Sequence, residues 1–154
     1  MMANTYTQLY IHIVFAVRGR ENLIMPEQRV LIQRYMTGIV QQRGHKMLAI
    51  FCMPDHVHLL VGLNPTMPIS DLVRDIKSIS SKWINESKLM RQKFRWQEGF
   101  GAFSYSRSHL HNVIRYINNQ EEHHRKQKFR EEYQEILKNF DVEFDPKYLF
   151  KWIE

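Results

Sequence analysis

Residues 46–63, KMLAIFCMPDHVHLLVGL, decide how this chain folds. Two apolar runs, 46–53 and 56–63, are joined by Pro54-Asp55, and the pattern reads as a β-hairpin. Pro-Asp is not the Asn-Gly type that two-residue links favour, so a longer or bulged turn is expected. Side chains on a strand alternate, so His56 and His58 leave one face while Val57 enters the opposite layer. A polar pair inside an apolar strand costs free energy unless something satisfies it. Two imidazoles on one face can converge on one metal ion or one phosphate, and imidazole is the usual acid–base group near neutral pH. The plainer reading of the pair is two hydrogen-bonded core histidines.

Working outward, residues 5–16 (TYTQLYIHIVFA) are rich in β-branched and aromatic types and read as a strand, with Leu9, Ile11, Ile13 and Phe15 on one face. Pro26 opens a helix that runs to about Arg43, and Gly44 stands where a helix C′ residue is favoured. Pro65 and Pro68 mark a loop, and Ser70 is the candidate N-cap of a second helix. Ile69, Leu72, Val73, Ile76, Ile79 and Trp83 make its buried stripe, with Arg74, Lys77 and Lys82 away from it. Residues 88–100 have no clear period and read as a loop, and 102–106 read as a fourth strand. Ser108 is placed to cap a third helix over about 109–126. The order through residue 106 is β-α-β-β-α-β, the ferredoxin-like α+β arrangement. A further amphipathic helix (Phe129, Tyr133, Ile136, Leu137, Phe140) and an aromatic tail (Tyr148, Phe150, Trp152) follow. With no repeat, low-complexity tract or flexible linker, residues 1–154 read as one domain. Its core is 1–107, and 108–154 form an extension.

Composition narrows the class. The 154 residues are 44% hydrophobic and 25% charged, ordinary for a globular protein. No run of about 18 apolar residues is present to span a membrane, and the first residues lack a signal-peptide pattern. Cys52 is the only cysteine, which excludes an internal disulfide and any Cys-based zinc site and points to the cytoplasm. A net charge of +6 suggests an anionic partner, nucleic acid ahead of a membrane surface.

In the third helix Leu110, Val113, Ile114 and Ile117 form the core stripe. At about 100° per residue, His109, Tyr116, Gln120 and His123 fall together on a flanking stripe. Tyr116 and Gln120 are one turn apart and can reach a common point. Gln offers a carbonyl oxygen to a metal and Tyr a phenolic nucleophile. Opposed to a strand carrying two histidines, they would set a nucleophile beside a metal, which suits phosphoryl transfer. Each residue also has a plainer reading: Tyr116 as a packing residue, Gln120 as a solvated one, His123 and His124 as exposed groups near a helix end. Tyr105 competes as nucleophile but has no Gln one helical turn away.

His56-Val57-His58 resembles the His-hydrophobic-His motif of the HUH nuclease superfamily. Residues 96–104 (WQEGFGAFS), 116–124 (YINNQEEHH) and 6–15 (YTQLYIHIVF) are similar to the single-tyrosine transposases of compact bacterial insertion sequences. The run Asn119-Gln120-Glu121 favours the mobile-element branch over the REP-associated one. The resemblance implies that His56, His58 and Gln120 hold Mg²⁺ or Mn²⁺ against the scissile phosphate of single-stranded DNA. It implies that Tyr116 attacks to leave a 5′-phosphotyrosine link and a free 3′-OH, with His123 as a possible auxiliary group. It further implies a homodimer whose active sites are shared between subunits, and recognition of DNA hairpins at element ends. Arg18, Arg20, Arg74, Lys77 and Lys82 are the basic residues offered for phosphate contacts. Two other function classes stay open: a small metal-dependent phosphoesterase, and a catalytically silent nucleic-acid-binding module. A histidine-triad hydrolase is disfavoured because Leu60 stands where the third His would be.

Overall fold

A computed structural model describes residues 4–19 and 21–145. Arg20 and the aromatic tail residues Tyr148, Phe150 and Trp152 lie outside the described residues. Four strands form one sheet: β1 (Tyr10–Ala16), β2 (Lys46–Cys52), β3 (His56–Gly62) and β4 (Gly101–Tyr105). Their order is β2-β3-β1-β4, and every neighbouring pair is antiparallel. Helices α1 (Pro26–Gln42) and α2 (Ile69–Glu86) complete the ferredoxin-like unit, and α3 (Leu110–Asn118), α4 (Gln120–Lys126) and α5 (Phe129–Asn139) follow. No described helix is long and apolar enough to cross a membrane.

The sheet is covered on both faces. Ile11, Ile13 and Phe15 of β1 and Val57, Leu59 and Val61 of β3 meet Ile32 and Met36 of α1 and Leu72 and Ile76 of α2 in the main core. On the other face, Val14 and Ala16 pack with Phe103 against Phe129, Tyr133 and Leu137 of α5. Ala49 and Leu60 pack against Val113 and Ile117 of α3. Alternation along each strand therefore sends Val57 to α1 and α2, and His56 and His58 toward α3–α5.

Several boundaries differ from the sequence reading for physical reasons. β1 begins at Tyr10, because residues 5–9 are exposed and only Leu9, whose carbonyl accepts from the Leu63 amide at 2.8 Å, still bonds toward β3. Pro68, not Ser70, precedes the first residue of α2, and no side chain caps that helix. The expected helix 109–126 is preceded by a 3₁₀ turn at Arg107–His109 that starts after Ser106 rather than Ser108, and it breaks at Asn119 (φ −103°, ψ 26°). The hairpin turn is anchored from outside, with the Val17 amide donating to Asp55 O at 2.8 Å and the Leu23 and Ile24 amides to Pro54 O at 3.0 Å. A bulge between Met47 and Ala49 shifts the β2–β3 register. The aperiodic residues 88–100 carry Phe94 and Trp96 into the main core. Asn85 holds Phe94 by bonds to both its amide and its carbonyl, and Trp96 Nε1 donates to Ser80 Oγ at 2.9 Å. Gly44 ends α1 with φ +80°, as the C′ position requires.

At Gly101 the Tyr133 side chain of α5 lies directly against the sheet. A Cβ there would lie 2.5 Å from Tyr133 Oη and 2.8 Å from Tyr133 Cε1. Gly101→Ala is expected to lose about 1–3 kcal/mol by overpacking. Gly38, inside α1 with nothing within 4 Å of its would-be Cβ, should behave oppositely, and Gly38→Ala is expected to gain about 0.5–1 kcal/mol. Urea unfolding midpoints of the two variants check both signs.

Candidate active site

β3 delivers His56 and His58, fully buried, beneath α5. Asp55, in the hairpin turn, places Oδ1 2.7 Å from His56 Nδ1. The His56 ring is stacked on Phe129 with centroids 3.7 Å apart. A carboxylate accepting from Nδ1–H leaves the lone pair on Nε2, and that buried nitrogen has no hydrogen-bond partner among the described residues. His58 Nδ1 lies 2.8 Å from Nε2 of His12 on the neighbouring strand, and His58 Nε2 lies 3.2 Å from Glu132 Oε1. Antiparallel pairing explains the first contact: Val14 is opposite His58, so His12 and His58 share a face.

Glu132 of α5 joins these groups. Its Oε1 lies 3.2 Å from His124 Nε2 and 3.8 Å from His56 Nε2, and its Oε2 accepts the hydroxyl of Tyr116. Burial works against ionisation of Glu132, but hydrogen bonds from His124 and His58 outweigh it and hold the carboxyl well below its usual range. Burial, opposed by Asp55, pushes His56 down to about 4, and burial, with the neighbouring His58, holds His12 well below its ordinary value. Burial, and then the Glu132 charge, raise the Tyr116 phenol, so it stays protonated at neutral pH.

These groups can hold a divalent cation. One ligand atom each from His56, His58 and Glu132 lies within 4.8 Å of the others. Neutral His56 turns a lone pair toward an ionised carboxylate oxygen with no proton between them. Two facing acceptors repel, and a cation between them removes that cost. A carboxylate and a histidine behind the two imidazoles also match the way metal-binding histidines are oriented.

Of the residues singled out in the sequence, His56, His58 and Tyr116 come together; the Tyr116 and His58 rings are 5.7 Å apart and perpendicular. His123 is exposed, with its ring 4.7 Å from that of Tyr116. Gln120 is buried just past the helix break, its Nε2 donating to Tyr116 O at 3.3 Å and its Oε1 without a hydrogen-bond partner among the described residues. Within this chain the tyrosine helix lies against its own histidine pair; the resemblance implied a tyrosine helix set against a partner subunit. Arg74 and Lys82 are exposed on α2, across the sheet from the histidines, and pair with Asp71, Asp75 and Glu86. Lys77 donates to the carbonyls of Gln97 and Gly99 above the Phe15 ring, and burial pushes it down to about 8. Arg18 is exposed after β1.

Sequence reasoning missed Glu132, His124 and Asp55. A signal for Glu132 existed, because it falls within the apolar stripe of Phe129, Tyr133, Ile136 and Leu137, where a solvated carboxylate does not belong. His124, expected to be exposed, is half-buried because the break at Asn119 turns α4 toward β3.

His56 also sets a pH dependence. Unfolded His protonates near 6.5 while folded His56 resists until about 4, so the unfolded state binds more protons in that window. Stability is full above the window and is lost as pH falls through it. With a chelator present, His56→Asn should reduce the slope of unfolding free energy against pH by up to about 1.4 kcal/mol per pH unit. Urea titrations from pH 7 to 4 check it.

Comparison with known proteins meets this geometry. Residues 5–120 match the family described as Transposase IS200 like. The ISDra2 transposase TnpA of Deinococcus radiodurans is 31% identical over 75 residues, which is 49% of this chain and 54% of that protein. The transposase for insertion sequence element IS200 of Salmonella typhimurium is 27% identical over 85 residues, 55% of this chain and 56% of that protein. The chain thus spans about half the length of the curated relatives it matches. In fold, it is similar to a crystal structure of a Deinococcus radiodurans protein described as a transposase (TM-score 0.63, 24% identity, 78% of this chain and 96% of that one). It is also similar to a REP-associated tyrosine transposase bound to a REP hairpin (TM-score 0.60, 16% identity, 80% and 73%). With the family match running from before β1 to the first residue of α4, and so taking in both histidines and Tyr116, the chain belongs to the IS200-like transposase family.

Proposed function

We propose that this protein cuts and rejoins single-stranded DNA at insertion-sequence ends, with Tyr116 as nucleophile and His56, His58 and Glu132 as the metal ligands. The observation that carries this reading is the hydrogen bond from Tyr116 to the same carboxylate that faces both histidines. Glu132 Oε2 accepts the phenol hydrogen and so aims the Tyr116 oxygen. As the Tyr116 oxygen bonds to phosphorus, the bond from phosphorus to the 3′-oxygen breaks. The strand leaves with a 3′-OH, and its 5′-phosphate stays on the tyrosine. Overall the phenol proton passes to the leaving oxygen. Attack by a second 3′-OH reverses the step and joins new strands without external energy. A divalent cation would supply positive charge for the phosphoryl oxygens and ease loss of the phenol proton. Two imidazoles beside one carboxylate favour Mn²⁺ over Mg²⁺.

His123, beside the Tyr116 ring, is read as an auxiliary group. Gln120 is the alternative third ligand, and its unpartnered Oε1 supports that role. DNA hairpins are the second partner on this reading, with Arg18 and the exposed basic residues of α2 as phosphate contacts, and the cytoplasm is where the DNA would be met. For the homodimer, the contact of Tyr116 with its own chain's Glu132 supports a site completed in each subunit.

Labelled single-stranded DNA from the element ends, with Mn²⁺ or Mg²⁺, should give a protein–DNA band that survives denaturing electrophoresis and is absent for Tyr116→Phe. Persistence of the band in that variant would reassign the nucleophile. Binding without a band favours the silent module, and hydrolysis of small phosphoesters favours the phosphoesterase. Glu132→Gln should weaken Mn²⁺ binding about tenfold or more, and Gln120→Ala should do so less; the reverse order by calorimetry exchanges their roles. Mixing Tyr116→Phe with His58→Ala subunits should not restore the band, and restoration would establish shared sites.

A further inference from the structure

A cleft of about 390 Å³ is lined in part by Tyr116 but not by His56, and its volume is within the range of small-molecule sites. Its inner wall is formed by His12, Tyr116 and Glu132, and its sides by α3 and α5. Neither the nucleophile nor the metal ligands account for the rest of its lining. Tyr105, Val113 and Ile136 offer flat or apolar surface, while Asn112, Gln127 and Asn139 offer amide edges that both donate and accept. Glu135 completes the mouth and accepts from Gln127 Nε2 at 2.7 Å. Among the described residues no lysine or arginine lines the cleft, and two carboxylates do. Those carboxylates favour a flat, uncharged, hydrogen-bonding ring over an anion within the cleft itself.

Buried His12 supplies an independent observation. It lines the inner wall, and its Nδ1 has no hydrogen-bond partner among the described residues. A buried nitrogen left unpaired beside a cavity marks a place where an occupant completes the hydrogen bonding. Single strands are read by splaying bases out onto aromatic surfaces and bonding their edges. Because Tyr116 is itself part of the wall, an occupant would adjoin the phosphate that Tyr116 attacks.

We propose that this cleft binds the unstacked nucleobase next to the scissile phosphate and prefers bases with an exocyclic amine over thymine. The inference rests on the strand-cutting reading above and adds to it a protein-borne sequence preference at the cut. The preference follows from Glu132 and Glu135: an exocyclic amine offers these acceptors two N–H donors, whereas thymine offers only its N3–H, flanked by two carbonyls that the carboxylates repel.

Two measurements test it. In the first, dAMP, dCMP, dGMP, dTMP and ribose 5-phosphate are titrated into ¹⁵N-labelled protein while the side-chain amides of Asn112, Gln127 and Asn139 are followed. The three amine-bearing nucleotides should shift these amides with about tenfold tighter binding than dTMP, and ribose 5-phosphate should leave them unmoved. In the second, the covalent band is timed on oligonucleotides that differ only in the bases flanking the cut, for wild type and for Glu135→Gln. Thymine at one flank should slow the wild type about tenfold, and Glu135→Gln should narrow that difference. Equal shifts from all nucleotides, shifts from the sugar phosphate alone, or no shift at these amides would overturn the proposal. A covalent band indifferent to the flanking base and to Glu135→Gln would also overturn it while leaving the strand-cutting reading intact. Nucleotide binding as expected with no covalent band for any DNA would instead defeat the strand-cutting reading and leave the cleft a nucleotide site.

Discussion

An ionised carboxylate lies buried between α5 and the sheet, and one side of the molecule is organised around satisfying it. Glu132 meets His58 and His124 through one oxygen and Tyr116 through the other. Taking a lone carboxylate out of water costs several kcal/mol, so its partners must be in place whenever α5 is docked. The same contacts tie together elements distant in sequence: β3, the end of α3, α4 and α5. The docking of α5 and the assembly of the site are therefore one event. Phe129 and Tyr133 supply the apolar part of that docking, and Glu132 between them supplies the polar part.

The two faces of the sheet divide the work. Toward α1 and α2 the strands present Ile, Val, Leu and Phe, and the packing includes Tyr35 stacked on Trp83 with centroids 4.1 Å apart. Toward α3–α5 the same strands present His12, His56 and His58 among Val14, Ala16 and Leu60. The first face holds the strands rigid and in register. The second then carries polar groups within a few tenths of an ångström of bonding distance, as chemistry at a phosphate requires. The cleft between α3 and α5 opens on this second face, so the proposed base site shares Tyr116 and Glu132 with the reacting groups.

Much of this was legible in the sequence. The β-α-β-β-α-β order, the hairpin at Pro54-Asp55 and the helix end at Gly44 are local features, set by alternation, turn chemistry and the permissive backbone of glycine. The placing of His56 and His58 on one face follows from strand parity. The stripe carrying Tyr116 was visible from helical spacing, but the break at Asn119 was not, since no proline or glycine marks it. Residues 88–100 read as a plain loop because two anchors, Phe94 and Trp96, carry no period. Glu132 stood in plain view as a charge within an apolar stripe, yet its partner could not be named from that alone.

What the sequence by itself determined is which residues share a face: the histidine pair on its strand, Tyr116 on its helix, Glu132 on the apolar side of α5. What only the tertiary structure decided is which of those faces meet. His58 and Glu132 are 74 positions apart, and their contact depends on how α5 docks against the sheet. Local periodicity is set by backbone geometry within a few residues. Which faces meet is settled by burial summed over the whole chain, and that is why the carboxylate, rather than the histidine pair, had to wait for the fold.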